Sequence, residues 1–206
     1  MLFRTAFYIS FILSIIIAKA AFAYSYSHEY YSRSRPTYGA GVYLGSQAQL
    51  NSAKVSGASP ESDAGFQKFS GYALHTEAGL EHFRFIQTGV FFNHSQLSDN
   101  SNAIHDLRIQ EYGAETRIVL TSPVVNIGLN GGAFMASAVH TNGLERSQLS
   151  GSGFKGGVDF IYCAASNVNL IFTVASYTQS LKDKSGAASA ISVRSNRIGA
   201  GLSLWL

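Results

Sequence analysis

The feature that most constrains this chain is an alternation. From residue 38 onward, apolar residues and polar or glycine residues exchange places at every second position, and no period-3.6 pattern takes over anywhere. Successive side chains of a strand point to opposite faces, so each such block describes a ribbon with one apolar and one polar face. Eight blocks read this way: Tyr38 to Leu50, Phe69 to Glu81, Phe83 to Asn93, Leu107 to Leu120, Val124 to Val139, Gly153 to Cys163, Val168 to Ser180 and Ala190 to Leu206. In the second, Tyr72, Leu74, Thr76, Ala78 and Leu80 oppose Gly71, Ala73, His75, Glu77, Gly79 and Glu81. In the fourth, Tyr112, Ala114, Thr116, Ile118 and Leu120 oppose Glu111, Gly113, Glu115 and Arg117. The seventh block is too uniformly apolar for its facing to be read.

The connections between blocks alternate in length. Those near Glu81-His82, Thr121-Ser122-Pro123 and Ala164 to Asn167 are short. Those at 51–68, 94–106, 140–152 and 181–189 are long and rich in Ser, Asn, Gly and Asp. Ribbons of about ten residues joined by short turns at one end and long polar loops at the other describe an up-and-down transmembrane barrel. In hydrocarbon every backbone N–H and C=O must be paired, and a sheet does this only by closing on itself. The expected fold is therefore all-β, an eight-stranded antiparallel barrel over 38–206 with both termini on the short-turn side. A soluble periplasmic β-sandwich is the competing architecture.

The first 23 residues read as a separate unit. Arg4 provides a positive start, Ala6 to Ala18 an apolar core interrupted by Lys19, and Ala21-Phe22-Ala23 a small-x-small cleavage site. Cleavage after Ala23 leaves 183 of the 206 residues, beginning at Tyr24. Residues 24–37, polar and closed by Pro36, are expected to form a flexible periplasmic segment. Arg4 and Lys19 leave with the leader, so 13 basic residues then face 12 acidic ones. The whole-chain excess of positive charge thus carries no nucleic-acid reading, since no basic run survives. Cys163 is the only cysteine, which excludes an intrachain disulfide.

The charges sort by face. Glu77, Glu81, Glu111, Glu115, Arg117, Lys155, Asp159 and Arg197 all fall on the side away from the apolar set, and His75 joins all of these but Glu81 as a candidate site residue. Both signs are present, so they are expected to form a polar network in the lumen, where an unpaired charge is costly. An eight-stranded lumen is just wide enough for side chains to fill. Arg84 breaks the pattern beside a short turn, where an interfacial side chain can snorkel.

The leader, the eight alternating blocks and a last strand ending GLSLWL resemble the small OmpA/OmpX-like outer-membrane barrels over essentially all of residues 38–206. The resemblance implies a bacterial outer-membrane location, contact with membrane lipid and lipopolysaccharide, and a last strand read by the barrel-assembly machinery. In that family the last residue is aromatic. Here Ile198, Ala200, Leu202 and Leu204 carry the alternation, but Leu206 is last and Trp205 penultimate.

Candidate chemistry is sparse. Some small outer-membrane barrels modify lipid A with a His and a Ser near the outer rim, and His94-Ser95 beside His75 and Glu77 offers those residue types. Adjacent strand residues face opposite ways, however, so His94 is badly placed to serve Ser95. His82, His105 and His140 show no metal-ligand spacing, and no glycine cluster opens a helix as a phosphate loop does. The expectation is a non-enzymatic barrel without cofactor or metal, acting as a scaffold or adhesion module through its surface loops, with no nucleic-acid partner. A lipid A-modifying enzyme and a narrow pore are the alternatives.

Overall fold

The computed structural model describes residues 41–57, 67–82, 85–99, 105–120, 125–142, 145–165, 167–183 and 190–206. The leader, the 24–37 segment, Tyr38 to Ala40 and Arg84 lie outside the described residues. Eight strands follow in order: β1 (Gly41–Gly57), β2 (Gln67–His82), β3 (Ile86–Asp99), β4 (His105–Leu120), β5 (Val125–Asn142), β6 (Glu145–Ala165), β7 (Val168–Asp183) and β8 (Ile191–Trp205). Each pairs antiparallel with its sequence neighbours, and β8 pairs with β1, so the sheet is a closed barrel with no free edge.

The register sets the shape. The row that leaves β1 at Gln47 passes through His75, Asn93, Glu111, Ala136, Gly151, Leu181 and Ile191, and rejoins β1 at Gly57, ten residues further on. That stagger around eight strands tilts them by about 40°, so each residue climbs about 2.5 Å along the barrel axis. The exposed large apolar side chains then form one band. It runs from Leu120 and Tyr162 at the short-turn end to Leu50, Met135 and Phe154, about ten residue steps or roughly 25 Å.

The strands run further than their apolar alternation. They span 14 to 21 residues, and residues 51–57, 94–99, 145–152 and 181–183, read from the sequence as loop, are strand. The cause is an inversion of the pattern. Above the band, Ala53, Phe69, Leu97, Leu107, Leu149, Leu181 and Val193 point inward and are buried together, while Lys54, Lys68, Ser98, Arg108, Lys182 and Arg194 point outward. On β4, for example, Leu107 and Ile109 face in, whereas Tyr112, Ile118 and Leu120 face out. A barrel leaving an apolar surrounding for water needs an apolar core and a polar exterior, the reverse of what it needs inside.

Two smaller differences concern ends. The third strand begins at Ile86, which pairs with His82, and its expected first residue, Phe83, lies outside the described residues. The facing of β7 is now set: Ile171, Thr173, Ala175, Tyr177, Gln179 and Leu181 face in, and Phe172 and Val174 face out. A register shift between Cys163 and Ala165 marks the β6–β7 turn.

Interior glycines make room for side chains lying across the neighbouring strands. A Cβ at Gly79 would come within 2.7 Å of the Tyr43 ring, and one at Gly89 within 2.8 Å of its hydroxyl. Tyr43 thus lies across β2 and β3, its ring 5.4 Å from that of Trp205 and tilted to it by 39°. Gly79→Val should cost about 1–3 kcal/mol through overpacking. The exterior Gly131 and Gly156 meet nothing closer than 3.8 Å, so Ala at either should be close to neutral. Urea unfolding of the two sets checks the contrast, and an equal cost would refute the close-packed account.

Candidate functional site

The site is the polar section of the lumen, at the level of the apolar band. Alternation carries its residues inward on every strand, and the stagger brings different strands to common heights. Asp159 on β6 is fully enclosed: its carboxylate accepts from Arg117 Nε at 2.5 Å, Asn130 Nδ2 at 2.8 Å and Thr173 Oγ1 at 2.6 Å. The Arg117 guanidinium spans the lumen, donating through Nη1 to Gln87 Oε1 at 2.9 Å and through Nη2 to Glu77 Oε2 at 2.9 Å. Arg is suited to this place because its planar fork donates in several directions at once.

The network continues upward. His75 Nε2 lies 3.6 Å from Glu77, and its Nδ1 meets Asn93 Oδ1 at 2.9 Å. Asn93 Nδ2 donates to Glu111 at 3.1 Å and to the Tyr177 hydroxyl at 3.3 Å. Arg197 Nη2 donates to the other Glu111 oxygen at 2.7 Å, and its guanidinium sits 3.7 Å over the Tyr177 ring. Lys155 pairs with Glu115 and lies 4.3 Å over the Phe91 ring. All eight candidate site residues singled out from the sequence are therefore buried and linked. Seven strands contribute, and β1 adds Asn51, which donates to Ser95 at 3.3 Å, and the bonded pair Gln47 and Gln49.

Sequence reasoning missed the neutral connectors. Asn93, Thr173 and Tyr177 join the ion pairs, with Phe91 as a cation-facing ring. Asn93 closes the third block on the same face as Gln87, so parity alone could have found it. Thr173 and Tyr177 lie on β7, whose facing the sequence left open.

The candidate acyl-transfer residues do not converge. His94 is directed to the exterior and Ser95 to the interior, while Glu77 is held by Arg117. Ligand atoms of His75, Glu77 and Glu115 lie within 4.8 Å of one another. Arg117 and Lys155 already neutralise both carboxylates, so a dication would have to displace two buried side-chain cations. His82 bonds Thr88 on the outside, and His140 stacks edge-on to Phe69. The side chain of His105 lies outside the described residues.

No protein-family model matches this sequence, and no curated protein matches it. Solved structures do match. Neisserial surface protein A superposes with a TM-score of 0.55 at 20% identity, over 81% of this chain and 99% of the other. The outer membrane protein OprG from Pseudomonas aeruginosa gives 0.54 at 9% identity, over 82% and 97%. The chain has the fold of the small outer-membrane β-barrels. Within that fold, the barrel's interior is closed twice, by the ionic network at the level of the apolar band and by the apolar cluster above it.

Proposed function

We propose that the chain is a non-enzymatic, non-conducting barrel of the bacterial outer membrane, exported by its N-terminal leader. It acts as a scaffold whose loop-side end makes contacts at the cell surface. The observation that carries this reading is a closed sheet with an apolar exterior band of outer-membrane height around an interior filled by side chains. On this reading the last strand engages the barrel-assembly machinery through the alternation of Ile198, Ala200, Leu202 and Leu204. Binding on a rigid β framework is carried by its loops, so adhesion or envelope stabilisation is the expected output.

The expected results are heat-modifiable migration on gels, recovery in the outer-membrane fraction, and no current steps from the purified barrel in a planar bilayer. Discrete conductance would replace this reading by the pore. A change in lipid A acylation that depends on His94, Ser95 or Glu77 would replace it by the enzyme.

A further inference from the structure

Nine Lys and Arg side chains are described. Arg117, Lys155 and Arg197 face the lumen, and the other six, Lys54, Lys68, Arg108, Arg146, Lys182 and Arg194, are exposed on the exterior. All six stand at the loop-side end, above the apolar band. On that exterior the one carboxylate among the described side chains is Asp106, which accepts from Ser98 Oγ at 2.9 Å. Three cations are directly adjacent: Lys54 of β1 is paired across the sheet with Lys68 of β2 on one side and Arg194 of β8 on the other. Like charges directly opposite one another on a sheet are destabilising. None of the three is ion-paired to a described residue. A protein surface facing only water would interleave signs here.

What lies beneath the triplet defines its counter-ion. Two residues below Lys54 and Arg194 are Ser52 and Asn196, and two further are Leu50 and Ile198, paired with each other in the apolar band. Leu50 is 74% exposed and Ile198 51%. Cationic side chains therefore stand about 10 Å above an exposed apolar surface on the same two strands. We propose that the Lys54–Lys68–Arg194 face binds a phosphorylated lipid of the outer leaflet, its phosphates on the three cations and its acyl chains against Leu50 and Ile198. A free phosphate would use only the upper half of this surface. The inference rests on the outer-membrane reading above and deepens it by assigning the residues that would hold the lipid.

The test compares the full-length mature barrel with Lys54→Ala/Lys68→Ala/Arg194→Ala and with the charge-preserving Lys54→Arg/Lys68→Arg/Arg194→Lys. Native mass spectrometry of detergent-solubilised protein titrated with bisphosphorylated lipid A, or with its dephosphorylated form, reads the bound lipid. The alanine variant should bind the phosphorylated lipid at least about tenfold more weakly, since each surface cation contributes about a factor of several. The charge-preserving variant should bind like wild type, and the dephosphorylated lipid should bind weakly to all three proteins. Equal binding by the alanine variant, equal binding of the dephosphorylated lipid, or displacement by equimolar inorganic phosphate would each overturn the proposal. Heat-modifiable migration in lipid vesicles is recorded alongside. Folded, inserted barrels with unchanged lipid binding overturn this inference alone, whereas a wild type that does not insert overturns the outer-membrane reading with it.

Discussion

Replacing Arg117 by Met should destabilise the barrel by about 3–5 kcal/mol, the usual cost of leaving buried partners of an ion pair uncompensated. The side chain is fully enclosed and joins two carboxylates on opposite sides of the lumen, Glu77 at 2.9 Å and Asp159 at 2.5 Å. Asp159 would keep its donors Asn130 and Thr173 but no cation. Arg117→Lys should fall between, because one ammonium cannot reproduce the three-way contact to Asp159, Gln87 and Glu77. Arg117→Met/Glu77→Gln/Asp159→Asn should recover most of the loss, since uncharged partners no longer need the guanidinium. The readout is equilibrium urea unfolding in micelles, followed by fluorescence of Trp205, the single tryptophan, whose ring packs against that of Tyr43. A loss below about 1 kcal/mol for Arg117→Met would mean that water reaches and screens these carboxylates, and the closed lumen would be wrong.

Val90→Arg should cost about 2–4 kcal/mol when the barrel is folded into lipid vesicles. Val90 is 63% exposed near the middle of the apolar band, between Ala78 and Ala114 on the flanking strands. Ser180→Arg introduces the same side chain on the same face above the band, where the cost should be about 0–1 kcal/mol. The difference between the two variants measures the hydrocarbon slab directly, because both positions are exposed and neither contacts the lumen. Equal costs would show that the band faces water, and would remove the outer-membrane reading while leaving the barrel intact.

Much of this architecture is legible in the residues themselves. Parity alone places His75, Glu77, Glu111, Glu115, Arg117, Lys155, Asp159 and Arg197 on the face away from the apolar set, and all eight are buried in the lumen. Parity could not give the partners. Arg117 meets Asp159 across 42 residues of sequence and Glu77 across 40, and Arg197 meets Glu111 across 86. Those distances close only through the register and the stagger of the closed sheet.

The upper parts of the strands escape the local alternation for a related reason. Residues 94–99 and 145–152 hold few apolar side chains, and those few sit on the parity opposite to the one that governs the blocks below. A reading that expects apolar residues to face outward takes such a stretch for a loop. The strand is nonetheless continuous, because backbone pairing does not depend on which face is apolar.

Local alternation determined that the chain forms strands, which side chains share a face, and that charge and apolar surface separate, because the two-residue period is a property of the backbone itself. How far the strands run, which carboxylate each cation meets, and the alignment of Lys54, Lys68 and Arg194 above Leu50 and Ile198 were decided by closure. The last strand must pair with the first, and the ten-residue stagger of that closure sets every height in the barrel.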